Sequence, residues 1–102
     1  ILGILLDNAI EAAAECDEKV IHVSFRKEEN RHRLLMIIEN TYKNKDVNID
    51  KIFEKDFSTK SKKNNSGLGL WEVRQILKKN NNLNLFTTKN EEFFSQQFEI
   101  YY

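Results

Sequence analysis

Apolar positions recur along this chain with two periods, and the switches between them mark out its elements. In residues 1–16, Ile1, Leu2, Leu5, Leu6, Ala9, Ala12 and Ala13 fall three and four apart, which places them on one broad helical stripe. Asn8 sits at the edge of that stripe, four after Ile4 and four before Ala12. From Lys19 to Lys27 the period becomes two, with Val20, His22, Ser24 and Arg26 alternating with Ile21, Val23 and Phe25. That pattern reads as a strand with one inward face. Polar Glu28-Glu29-Asn30-Arg31-His32 then leads into the apolar run Leu34 to Ile38, so the two strands should close as an antiparallel hairpin. Residues 40–66 are rich in Asn and Lys, with Ile49, Ile52, Phe53 and Phe57 as anchors for a short helical turn. A connection this long is usually a lid, a binding loop or a disordered segment. Residues 68–79 return to the helical period, with Leu70, Val73, Ile76 and Leu77 expected inward, and Asn80-Asn81-Asn82 ends them. Leu83 to Thr88 and Phe93 to Tyr102 read as two further strands around the turn Lys89-Asn90-Glu91-Glu92. The order predicts an α+β fold, a two-layer α/β sandwich with helices on one face of a mostly antiparallel sheet.

Composition narrows the classes of function. A chain of 102 residues makes one small domain, spanning 1–102, with room for a single modest core. Its net charge of zero argues against a general nucleic-acid binder, which needs a basic excess. Charge is uneven locally: Lys60, Lys62 and Lys63 cluster in the loop, while Glu11, Glu15, Asp17 and Glu18 make the first helix acidic. The single cysteine, Cys16, leaves no internal disulfide and no cysteine-built zinc site, and points to a reduced, cytosolic setting. Asp7 and Asn8 interrupt the apolar start, so neither a membrane span nor a signal peptide is expected there. His22 and His32 read as structural residues of a strand and a hairpin turn. The chain begins without Met inside a helix, as a domain cut from a longer protein would.

Three stretches carry candidate chemistry. The chain has three glycines and no proline, and two of the glycines, Gly67 and Gly69, stand where the loop meets the second helix. Such a junction exposes unpaired N–H groups at the positive end of the helix dipole, a natural phosphate site; close packing is the other reading. Asn8 is a poor helix former in a helix of apolar and small residues. It is either a solvent-edge residue or a neutral oxygen donor for Mg²⁺ or a phosphate-bound water. Glu39-Asn40-Thr41 ends an apolar strand, where a polar side chain either reads a ligand edge or simply starts a turn. The lysines before Gly67 can neutralise a polyphosphate or form a solvated charge run.

In order and spacing these stretches resemble the ATP-binding domain of sensor histidine kinases. That domain belongs to the gyrase/chaperone/histidine kinase/MutL ATPase superfamily. Leu2-x-x-Leu5-Leu6-Asp7-Asn8-Ala9-Ile10-Glu11-Ala12 is similar to its N box (residues 1–13), and Phe53-x-x-x-Phe57 to its F box. Residues 40–66 look like its loop and ATP lid, and residues 65–70, with Gly67-Leu68-Gly69-Leu70, its second glycine box. The nearest variant resembled is the peptide-pheromone receptor kinase of Gram-positive quorum sensing, through the Gly3–Ala12 opening, Ile38-Glu39-Asn40 and Lys51-Ile52-Phe53-Glu54-Lys55-x-Phe57-Ser58-Thr59-Lys60. The resemblance covers nearly the whole chain.

That resemblance implies a Bergerat-type ATPase fold with a mixed, mostly antiparallel sheet. Its cofactors would be ATP and Mg²⁺, and its activity that of a protein histidine kinase. Asn8 would coordinate Mg²⁺ as the catalytic N-box residue. Asn40, or as second candidate Glu39, would bond the adenine amino group. Lys60 and Lys62 of the lid would face the nucleotide, with Ser66, Gly67, Leu68, Gly69 and Leu70 meeting its phosphates. The partners implied are a dimerisation helix domain of the same protein bearing the phosphoacceptor His, and a downstream response regulator. The whole would be a membrane-bound homodimeric receptor of a Gram-positive bacterium, with this domain in the cytoplasm. The family has another helix and strand before the N box, so the chain reads as N-terminally truncated, with one sheet edge exposed. Two departures stand out. Asn40-Thr41-Tyr42-Lys43-Asn44 has none of the glycines of the first glycine box, which predicts weak nucleotide affinity. Ile4 stands where hydrolytic relatives carry a Glu base, which suits transfer rather than hydrolysis. The alternatives are a catalytically degenerate nucleotide-binding or protein-interaction module, and a serine kinase of the anti-sigma type.

Overall fold

The computed structural model describes residues 1–54 and 69–102. Among them the chain forms helix α1 (Leu2–Ala14), strands β1 (Ile21–Glu28) and β2 (Arg33–Asn40), helix α2 (Gly69–Lys79), and strands β3 (Leu83–Lys89) and β4 (Phe94–Tyr101). The strands form one sheet in the order β1-β2-β4-β3, and every pairing is antiparallel. Two hairpins thus lie side by side, with β1 and β3 at the edges. The α+β architecture expected from the order of elements is the one found.

The register decides which side chains form the core. Met36 lies opposite Phe98, which lies opposite Leu85, and Ile38 lies opposite Gln96, so these residues share one face. Onto that face α1 sets Leu5 and Ala9, against Ile38 and Phe98, and α2 adds Leu70 and Leu77. Leu5, Ile38 and Val73 are fully enclosed, each contributing about 1.5–3 kcal/mol relative to exposure. The helix ends follow local chemistry. Past α1, Lys19 Nζ donates to the Cys16 carbonyl at 2.7 Å. At the end of α2, Asn80 Nδ2 donates to the Ile76 carbonyl at 2.8 Å, satisfying an acceptor that the ladder leaves open.

Two expectations about facing are corrected. Ile21, Val23 and Phe25 stand on the same face as Asn40, Ile38 and Met36, yet Val23 and Phe25 are 54% and 64% exposed. The helix layer leaves these two side chains of the edge strand β1 open to solvent. Ile76 is likewise exposed, because the face of α2 that meets the core is set by Leu70, Val73 and Leu77. β2 also extends past its apolar run to include Arg33, Glu39 and Asn40, since pairing with β1 and β4 continues through those residues.

The opposite face of the sheet carries no helix among the described residues. There Arg33 donates to Glu28 at 2.5 Å and to Glu99 at 2.7 Å. Glu99 also accepts from Gln97 Nε2 and from the Tyr101 hydroxyl, each at 2.9 Å.

Candidate functional site

A cavity of about 150 Å³ opens between α1 and the sheet, at the end where α2 begins. Asn8 and Ala12 reach it from α1, Asn40 from the end of β2, Gln96 from β4, Tyr42 from the following loop and Leu70 from the first turn of α2. Helical periodicity explains the first wall: positions 8, 11 and 12 share one flank of α1, Glu15 follows in phase at its C-cap, and all four line the cavity.

The floor is polar where the middle of that sheet face, with Met36, Leu85, Phe98 and Ile100, is apolar. Asn40 is 2% exposed, and its Nδ2 donates to the Thr41 carbonyl at 2.9 Å. Thr41 pins the chain as it leaves β2, its N–H donating to the Val20 carbonyl and its Oγ1 accepting from Val20 N–H at 3.1 Å. Gln96 is 6% exposed and takes the Thr87 hydroxyl on its Oε1.

The loop after β2 has no glycine through residue 47 and is held from outside instead. The buried Tyr42 hydroxyl donates to the Asn90 carbonyl in the β3–β4 turn. Lys89 Nζ donates to the Lys45 and Val47 carbonyls at 2.6 and 2.9 Å. Lys45 Nζ bonds the Tyr42 carbonyl and lies 4.0 Å from the centre of the Tyr42 ring, a cation–π contact. Burial, and then the charge of Glu91, raise the Tyr42 hydroxyl above its ordinary value of 10.0.

Gly69 opens α2 and is buried. A Cβ there would come within 3.1 Å of Ile4 Cγ2, so this glycine lets α1 and α2 approach closely. With Leu70 lining the cavity, the N-terminal end of the α2 dipole lies beside it, a favourable place for negative charge.

The sequence candidates divide by location. Asn8, Asn40 and Leu70 meet at the cavity, with Gly69 adjoining. Glu39 lies on the other face of the sheet, 3.7 Å from His22 Nδ1 and accepting from Ser95 Oγ at 3.3 Å. Lys60, Lys62, Ser66, Gly67 and Leu68, with Phe57 and Lys63, lie outside the described residues. Ile52 is buried and lines the cavity, whereas Phe53 lies in a separate hollow with Arg74 and Phe86. Glu11, Glu15, Tyr42 and Gln96 were not singled out as binding residues from sequence. Helical period could have found the two glutamates. Gln96 could have been found as a polar residue in phase with Phe94, Phe98 and Ile100.

A cation carried by phosphate suits this donor set. Mg²⁺ takes few protein oxygens when phosphates supply the rest, and Asn8 offers one neutral amide oxygen. Among the described residues no three His, Cys, Asp or Glu side chains gather to cage an ion without it.

Comparison with curated proteins finds no match. Over residues 1–101 the chain matches the GHKL domain, and it belongs to that family. The family includes kinases and ATPases, and membership supports nucleotide binding.

Proposed function

We propose that this GHKL domain is the ATP-binding catalytic domain of a sensor histidine kinase. It would bind Mg²⁺–ATP and donate the γ-phosphoryl group to a histidine on a separate dimerisation helix. The observation that carries the reading is the meeting of Asn8, Asn40 and the start of α2 at one cavity. Asn40 and the apolar wall would take the base, and the first turn of α2 the phosphates. Asn8 would hold Mg²⁺, which when bound neutralises phosphate charge and orients the γ-phosphoryl group. As the P–N bond to the acceptor forms, the P–O bond to ADP breaks and ADP leaves. The domain contributes positioning and charge stabilisation, which is what phosphoryl transfer asks of a protein. Ile4 packs toward Gly69 and has no group to activate water, which favours transfer over hydrolysis. The wider reading places the domain on the cytoplasmic side of a Gram-positive pheromone receptor that passes phosphate to a response regulator. A nucleotide-binding module without phosphotransfer is the second reading, favoured by the loop after β2, which lacks the glycines of active relatives.

Calorimetric titration of ATP with and without Mg²⁺ tests the site. Asn8→Ala should abolish the Mg²⁺-dependent binding while the melting temperature stays within a few degrees. Unchanged binding refutes the role of Asn8. Strong, steady ATPase turnover by the isolated domain refutes the kinase reading.

A further inference from the structure

We propose that Gln96 is a base-reading residue that works with Asn40 to select adenine by its Watson–Crick edge. The inference rests on the ATP reading above and deepens it by naming what distinguishes one base from another.

Asn40 and Gln96 are buried amides on the helix-covered face. Asn40 lies opposite Phe94 and Gln96 opposite Ile38, so the two are diagonal neighbours on adjacent strands, about 7–8 Å apart. Each has committed one end of its amide to the protein. Asn40 spends a donor on the Thr41 carbonyl, and Gln96 spends its oxygen on the Thr87 hydroxyl. An amide oxygen has two lone pairs and its nitrogen two N–H groups, so these bonds do not exhaust either amide but fix how each is turned. Asn40 keeps Oδ1 wholly open beside one remaining N–H, and Gln96 keeps both Nε2 N–H groups beside one remaining lone pair. The open acceptor is therefore Asn40 Oδ1 and the open donor Gln96 Nε2.

An acceptor beside a donor complements an edge with a donor beside an acceptor. Adenine has that edge, in its 6-amino group and N1. Hypoxanthine and guanine present the reverse, a 6-carbonyl and an N1–H, so like would face like at both positions. Ala9, Ile38 and Leu70 wall the same cavity beside the two amides, so a mismatched edge pressed against them would leave buried polar groups unpaired. Thr87 is then a positioning residue, because its hydroxyl decides which end of the Gln96 amide is free.

The test is titration of Mg²⁺–ATP and Mg²⁺–inosine triphosphate into wild type, Gln96→Glu and Thr87→Val. Wild type should favour ATP by about tenfold or more, the usual cost of a mispaired buried hydrogen bond. Gln96→Glu keeps the shape and replaces the donor with an acceptor, so ATP should weaken about tenfold while inosine triphosphate gains. Thr87→Val frees the amide to turn and should narrow the ratio chiefly by improving inosine triphosphate. If wild type binds ATP and both variants keep its base preference, Gln96 does not read the base and the ATP reading stands. If Gln96→Glu fails to fold, an unchanged ratio in Thr87→Val overturns the proposal alone. Wild type that binds neither nucleotide overturns both.

Discussion

On the open face of the sheet, Arg33, Glu28, Glu99, Gln97 and Tyr101 spend their hydrogen-bonding capacity on one another. On the covered face, Asn40 and Gln96 each spend only part of theirs and stand at a cavity. The open-face groups include three charges, whereas the covered-face pair is neutral. A buried charge must be matched or it destabilises the fold, so a network of charges closes on itself and has nothing left for a ligand. Neutral amides cost less to leave partly satisfied and can wait for a partner from solution. One face therefore holds the sheet together, and the other holds a site.

The sharpest way to break that division is to cut the closed network at its centre. Glu99→Ala removes the acceptor of three donors and leaves the Arg33 guanidinium with Glu28 and the Tyr101 hydroxyl. Stability should fall by about 3 kcal/mol, as when one partner of a buried pair is removed. Urea denaturation should show a lower midpoint with an unchanged slope. ATP affinity should stay within twofold of wild type, since no group of this network reaches the cavity. A large loss of affinity in a folded Glu99→Ala would mean that the faces are coupled.

Titration separates the faces by a smaller effect. The Arg33 hydrogen bond holds the Glu28 carboxyl below its ordinary 4.5, so its contribution is whole above that value and fades as pH falls through the lowered one. Tyr42 is shifted the other way: its contribution is whole below pH 10.0 and fades as pH rises toward the raised value. The open face should thus weaken on the acid side and the cavity loop on the alkaline side. Melting temperature followed across pH should show Glu28→Gln flattening only the acid arm and Tyr42→Phe only the alkaline arm. Both variants changing the same arm would contradict the separation.

Period explains why so much of this was legible beforehand. α1, both hairpins and α2 must each cover a face, and the spacing of apolar residues needed for that is visible in one dimension. Asn40 and Glu39 could not be ranked that way, because neighbours on a strand face opposite sides and only the pairing of β2 with β1 and β4 says which side has the helices. Ile21, Val23 and Phe25 show the same limit: alternation reveals two faces, not how far the helix layer reaches. In sequence Gln96 reads only as one residue of the last strand, because its meaning comes from Thr87 and Asn40 on the flanking strands. Gly69 had two readings from sequence. The approach to Ile4 supplies the packing one without removing the other, since the same residue begins the helix at the cavity.

The finest distinction concerns how the covered face keeps its site open without glycine in the loop after β2. Lys89 is exposed, yet its ammonium bridges two carbonyls of the segment that carries Tyr42, Asn44 and Val47 to the cavity. Lys89→Met leaves the Tyr42 to Asn90 bond in place, so the loop should loosen rather than unfold. Hydrogen exchange at the amides of residues 43–47 should quicken, and ATP affinity should weaken about threefold, the scale of one modest net hydrogen bond. Because the clamp lies at the base end, ADP should weaken by the same factor as ATP. Lys89→Arg, which can still donate to both carbonyls, should recover most of the loss. Quicker exchange with unchanged affinity would make Lys89 a surface tie only, and the shape of the base pocket would then rest on Tyr42 and Thr41.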